Sequence, residues 1–116
     1  MELNKEIIKG HVESIILSLL QEKDLYGYEI SKLIRENSKE AFEVKDGTLY
    51  VVLKRLEKLG LVISYWGDCK SGGGRRKYFK ITEDGVNYLK EKKSEWEFLK
   101  SIMNILNLLG CYEKIA

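Results

Sequence analysis

The chain has 116 residues, enough for one domain, and 44% of them are apolar, which excludes a disordered polymer and leaves material for one core. It contains no proline, so the usual mark of a linker is missing and long helices can run uninterrupted. Twenty basic residues face eighteen acidic ones, and the formal charge of +2 by itself points to no polyanionic partner.

Residues 5–22 predict a first helix. Ile8, Val12, Ile15, Ile16 and Leu19 recur at helical spacing, and Ile7, Leu17 and Leu20 widen the stripe. A stripe this broad is expected to touch two things, the chain's own core and a second subunit, with Ile8 and Val12 assigned to the subunit contact. Residues 27–37 predict a second helix with Ile30, Leu33 and Ile34 buried, and residues 39–45 a polar connector. Asp46 is expected to cap the third helix through its carboxylate. In that helix Leu49, Leu53, Leu56 and Leu59 face inward, which leaves Thr48, Tyr50, Val51, Lys54 and Lys58 outward or on the flank. Gly60 suits the C-terminal stop.

Residues 61–66 and 77–82 are rich in β-branched and aromatic side chains and read as the strands of a hairpin. Between them lies the glycine-basic loop Ser71-Gly72-Gly73-Gly74-Arg75-Arg76-Lys77. From Gly67 to Thr82 five cations (Lys70, Arg75, Arg76, Lys77, Lys80) stand against the single acid Asp68, whereas Glu83 to Glu97 holds five acids and three lysines. Positive charge is therefore gathered at the hairpin tip. A helix followed by such a hairpin suits a winged-helix reader of duplex DNA, with the helix in the major groove and the tip on phosphates. Arg75, Arg76 and Lys77 are the candidate phosphate contacts on charge, joined by Lys54 and Lys58. One of the three tip cations is expected to turn inward, because successive strand residues point to opposite faces. Arg55 stays open between DNA and a local pair with Glu57 or Glu36.

Thr82 is a natural N-cap for a last helix running to about Leu109, with Glu83 and Asp84 at its positive end. Leu89, Trp96 and Met103 are seven apart, Leu99 and Leu106 fill the intervening position, and Lys92 breaks the pattern once. A seam of this kind calls for a partner, and a second copy is the simplest one, so Leu89, Leu99, Met103 and Leu106 are assigned to dimerisation. Trp96 has two roles open, a bulky seam residue or a plate on which a planar ligand stacks between subunits. The acids Glu95 and Glu97 beside it would favour a cationic ligand. The expected fold is mainly α with a small β-hairpin (α+β), a winged helix-turn-helix over residues 1–81 with a long C-terminal dimerisation helix over 82–116 in the same unit.

Nothing calls for a cofactor or metal. His11 is the only histidine, and no Cys/His/Asp cluster has metal spacing. The glycines at 72–74 lie between strands and open no helix, unlike a nucleotide phosphate loop. No nucleophile and base are set together, so an enzyme is not expected. Cys69 and Cys111 are far apart and read as free thiols. No basic segment leads into an apolar run near the start, and the apolar stretch Ile102 to Leu109 is short and holds two asparagines, so a cytoplasmic protein without membrane contact is expected.

With these residues in hand, the chain resembles the PadR family of bacterial transcriptional regulators, in particular its short members with a single C-terminal helix. The likeness rests on Tyr26-Gly27-Tyr28-Glu29-Ile30, Gly47-Thr48-Leu49-Tyr50, Arg55-Leu56-Glu57, Leu59-Gly60-Leu61, Gly74-Arg75-Arg76-Lys77-Tyr78, and Ile81-Thr82 with Gly85. The run Ser64 to Asp68 and Trp96 are similar to the lactococcal multidrug-resistance regulator of that family. The resemblance implies a dimeric repressor that binds an inverted repeat of double-stranded DNA at its own promoter and a neighbouring transporter or stress gene. It favours a phosphate contact through the Tyr50 hydroxyl over simple packing, and because some members release DNA on binding a flat aromatic or phenolic compound, it leaves Trp96 evenly open between a ligand plate and a seam residue. Val51 stands where many members carry proline, a departure that bears on base readout and not on the fold. The rival reading is a winged helix used only for protein contacts, since a fold does not fix a function.

Overall fold

In the computed structural model, residues 10–68 and 74–106 are described. In chain order they form α1 (Val12–Leu20), β1 (Leu25–Tyr26), α2 (Gly27–Asn37), α3 (Asp46–Lys58), β2 (Val62–Asp68), β3 (Arg75–Ile81) and α4 (Glu83–Ile105). Ile8 and the expected start of the first helix, Cys69, Lys70 and residues 71–73 of the loop, the end of the last helix at 107–109, and Cys111 lie outside the described residues.

Three helices pack on one face of the sheet, and the core forms between them. α1 gives Val12, Ile16, Leu17 and Leu20, α2 gives Ile30 and Ile34, and α3 gives Leu49, Leu53 and Leu56. The sheet closes this core with Leu25, Val62 and Phe79, one from each strand, at positions that alternation sends inward. Sheet order is β1-β3-β2, all antiparallel, with Leu25 opposite Phe79 and Val62 opposite Ile81. The expected hairpin is thus a three-stranded sheet. Its strands also reach further into the tip than expected, because pairing continues through Gly67–Arg76 to Asp68–Arg75.

Both ends of α3 are defined by backbone chemistry. Asp46 is the first helical residue and not the cap; Lys45 takes the extended cap position and no side chain caps there. The Asp46 carboxylate acts on the positive end of the helix instead. At the other end Gly60 has φ of 77°, the Leu61 N–H donates to Leu56 O at 2.9 Å, and the Gly60 N–H donates to Glu57 O at 3.1 Å. That is a Schellman stop, and it turns the chain directly into β2. The connector before α3 is less polar in role than in composition. Val44 is buried and Phe42 packs partly on the core, while the Ser38 hydroxyl accepts from the Phe42 N–H at 3.1 Å.

α4 begins as expected: Thr82 Oγ1 accepts from the Gly85 N–H at 3.0 Å. Only Gly85 and Leu89 of this helix are buried, so its first turns belong to the core, while the part beyond Trp96 stands clear of it. This corrects two assignments. Val12 and Leu89 are 3% and 1% exposed within a single chain, where Leu89 packs in the core cluster, and neither is available to a second subunit. Among the described residues no helix is long and apolar enough to cross a membrane.

Candidate nucleic-acid interface

The rotation of α3 is set by Leu49, Leu53 and Leu56, which are at most 1% exposed, whereas Leu59, expected to face inward with them, is 53% exposed because it caps the end of the helix. Thr48, Tyr50, Val51, Lys54 and Lys58 are consequently all turned to solvent, as their positions in the helical repeat require. Val51 is the most open of the apolar ones, and Tyr50 is 53% exposed with its ring against the backbone of Gly27.

β2 packs along α3, and between α3 and β3 opens a cleft of about 340 Å³ lined by Tyr50, Lys54, Glu57, Lys77 and Phe79. Lys77 shares the inward face of β3 with Phe79. Its Nζ lies 5.7 Å from the Phe79 ring centroid and 4.0 Å from Glu57 Oε1. Glu57 also accepts a hydrogen bond from the Ser64 hydroxyl, so one carboxylate ties α3 to both long strands. Lys77 is therefore the tip cation that turns inward. Arg76 points to the other face, with its guanidinium 4.5 Å from the centroid of Tyr26. On that outer face the rings of Tyr26, Tyr65 and Tyr78 form a continuous layer, Tyr65 stacked on Tyr78 at 5.7 Å and Tyr26 edge-on to Tyr78 at 5.6 Å. Arg75 is exposed at the last described pair of the ladder. The cations of the wing thus flank both faces of one strand beside the outward face of α3.

Arg55 finds neither of its expected local partners. Its Nε lies 2.9 Å from Glu13 Oε1, and the Tyr88 hydroxyl donates to Glu13 Oε2 at 3.2 Å. Burial, followed by the nearby Glu13 carboxylate, pushes the Tyr88 phenol above its ordinary value, which keeps it a donor. α1, α3 and α4 therefore meet at Glu13. In sequence this residue shows only as a break in an apolar stretch, and its partners are too distant along the chain to be seen by spacing.

Trp96 sits half-buried at the edge of a groove of about 390 Å³ between α1, α2 and α4, together with Ile15, Leu19, Leu33 and Phe42. The His11 ring is 5.4 Å from the Trp96 ring, with the planes tilted by 50°. Glu95 is paired with Lys92 at 3.2 Å, which offsets one of the two acids expected to favour a cation. Beyond Trp96, Leu99 is 50% exposed, Leu106 is exposed and Met103 is half-buried. Phe98, Ile102 and Ile105 are exposed as well, and counting by sevens missed them. The apolar band on the outer half of α4 is thus wider than a strict heptad seam, as the 3.6-residue turn of a straight helix allows.

Comparison with known proteins agrees with this arrangement. The model of the PadR-like family of transcriptional regulators matches residues 16–91. An uncharacterised protein from Lysinibacillus sphaericus is 47% identical over 103 residues, which are 89% of this chain and 94% of that protein. A solved transcriptional regulator from Clostridium thermocellum is similar with a TM-score of 0.80 and 46% identity, over 89% of this chain and 96% of the other. A crystal structure of a PadR-family transcription regulator from Clostridium difficile is similar with a TM-score of 0.75 and 46% identity, over 87% of this chain and all of the other (100%).

Proposed function

This chain belongs to the PadR-like family of transcriptional regulators, which are not enzymes, and from that premise we propose that it is a homodimeric repressor reading an inverted repeat in double-stranded DNA at its own promoter and at a neighbouring transporter or stress gene. The observation that carries the reading is the solvent-facing side of α3 running beside a strand whose flanks hold Arg75, Arg76 and Lys77. α3 enters the major groove with Thr48, Val51 and Lys54 toward the bases, while Tyr50, Lys58, Arg75 and Arg76 meet the phosphates and Lys77 lines the cleft between helix and wing. Two such helices address one face of the duplex about 34–36 Å apart. The exposed apolar band from Leu99 to Leu106 holds the two copies together.

The test is anisotropy titration of a labelled duplex from the gene's upstream region across a salt series. Affinity should fall steeply with salt, by about 0.9 in the log–log slope for each phosphate neutralised. Arg75→Ala with Arg76→Ala should weaken binding to every sequence and flatten the slope by about 0.9 per contact removed. An unchanged slope would take the wing out of the interface. A folded protein that binds no duplex at all would favour the protein-contact reading.

We further propose that a planar aromatic compound binds at Trp96 and lowers DNA affinity. The open apolar groove against this ring supports the idea, and the groove walls make an uncharged ring system as acceptable as a cation. In a Trp66→Phe background, which removes the exposed second tryptophan, planar compounds should quench Trp96 fluorescence. Trp96→Ala should abolish that binding while leaving operator affinity within about threefold. Linkage requires the same ligand to bind less tightly to the DNA-bound dimer, by the same factor by which it weakens DNA. If no planar compound quenches Trp96 and Trp96→Ala dissociates the dimer, the ring is a packing residue.

A further inference from the structure

The first residue of α2 is a buried glycine, Gly27, and nothing about its backbone asks for one, since its φ is not in the left-handed region. At this position in a helix alanine is the better former. What the position lacks is room. A Cβ there would lie 2.5 Å from the Tyr50 hydroxyl oxygen, 2.9 Å from Cζ and 3.2 Å from Cε1. The hydroxyl end of the Tyr50 phenol therefore lies against bare backbone. Among the described residues no intramolecular hydrogen bond uses its hydroxyl, although the ring is half-covered. A phenol held in place by packing, with its polar end unused, has that end available for a ligand at the protein surface.

Resting on the proposed DNA-binding reading, we propose that Gly27 is a positioning residue: its bare α-carbon fixes where the Tyr50 hydroxyl meets a backbone phosphate of the operator. The contact joins the start of α2 to the second turn of α3, so the hydroxyl is referenced to both helices of the helix-turn-helix. A hydrogen bond to a phosphate oxygen needs 2.5–3.0 Å between oxygens, so a displacement of about 1 Å removes it. Alanine at 27 forces such a displacement. The backbones need not separate, because the atoms in the way are the far end of a side chain that is open to solvent on one side. The ring swings outward, the fold is kept, and the contact is lost.

The experiment compares Gly27→Ala, Tyr50→Phe and the double variant with the wild-type protein, by anisotropy on operator and on unrelated duplex, with thermal melts of each. Gly27→Ala and Tyr50→Phe should each weaken binding roughly tenfold per half-site, about a hundredfold for the dimer, on both duplexes. The double variant should be no weaker than Tyr50→Phe alone, because both changes remove the same contact. The salt slope should stay as in the wild type, since a neutral hydroxyl releases no counterion. The melting midpoint of Gly27→Ala should hold or rise. Wild-type affinity in either single variant, full additivity in the double, or a midpoint lowered by more than about 5 °C in Gly27→Ala would overturn the inference. If the wild-type protein itself binds no duplex, the proposed function falls first; if it binds and only the variants disagree, this inference falls alone.

Discussion

A chain carrying Leu99→Asp and Ile102→Asp should fold as well as the wild type and sediment as a monomer. Both side chains are exposed in the single chain and lie beyond the part of α4 that reaches the core, so the substitutions remove nothing the fold uses. In a dimer they would place unpaired carboxylates in an apolar seam. Each such burial costs several kcal/mol, and twofold symmetry repeats it in the partner. At 1.4 kcal/mol for each factor of ten, dimerisation should weaken by at least about a thousandfold. Operator binding should fall with it, because a lone reading head meets only one half-site. Sedimentation velocity with far-UV circular dichroism checks both parts. A folded dimer would show that the band on α4 is not the interface, and loss of helix signal would show that these residues belong to the fold. Leu89→Asp makes the contrast: it puts the same charge into the chain's own core and should unfold the protein.

That contrast also marks where the chain could be read and where it could not. Helical periodicity placed α2, α3 and most of α4 well, because leucines and isoleucines at 3.6-residue spacing have one inward solution each. The turn at Gly60 and the cap at Thr82 were equally legible, since each depends on one residue with one backbone role. Periodicity cannot say what an apolar residue packs against, and this is why Val12 and Leu89 were expected at a subunit contact. β1 leaves no mark in the sequence because two residues cannot show alternation, and its place in the sheet is set by pairing with β3. Spacing offers Arg55 a pair with Glu57 or Glu36, but its partner Glu13 comes from α1 and is brought to it only when three helices converge. The outward face of α3 followed directly from its inward face. The inward turn of one wing cation followed from strand alternation, but that the residue would be Lys77 required knowing that it shares a face with buried Phe79.

The largest stability loss from a single small substitution is expected at Gly85, where α4 is joined to the reading head. A Cβ there would lie 2.2 Å from the Leu61 carbonyl oxygen, 3.2 Å from its carbon, and 2.7 Å from Ile81 Cγ1. The obstacle is backbone, and that backbone is already engaged. The same Leu61 oxygen accepts from the Thr82 N–H at 3.1 Å, and the Thr82 hydroxyl donates to Gly60 O at 2.7 Å while accepting from the Gly85 N–H. The Schellman turn that ends α3 and the cap that starts α4 are thus bonded to each other, and neither can yield without opening these bonds. Overpacking alone costs about 1–3 kcal/mol, and each opened hydrogen bond adds about 1 kcal/mol. Gly85→Ala should therefore lose roughly 3 kcal/mol or more, lowering the melting midpoint by roughly 10 °C or more. Gly47→Ala is the control, because a Cβ at 47 meets nothing within 4 Å, and its midpoint should stay within a degree or two or rise slightly. A chain with Gly85→Ala that melts like the wild type would show that α4 can shift on the reading head at little cost. In that case the junction could not hold two recognition helices at a fixed separation, and the half-site spacing of the operator would have to be set by the subunit interface alone.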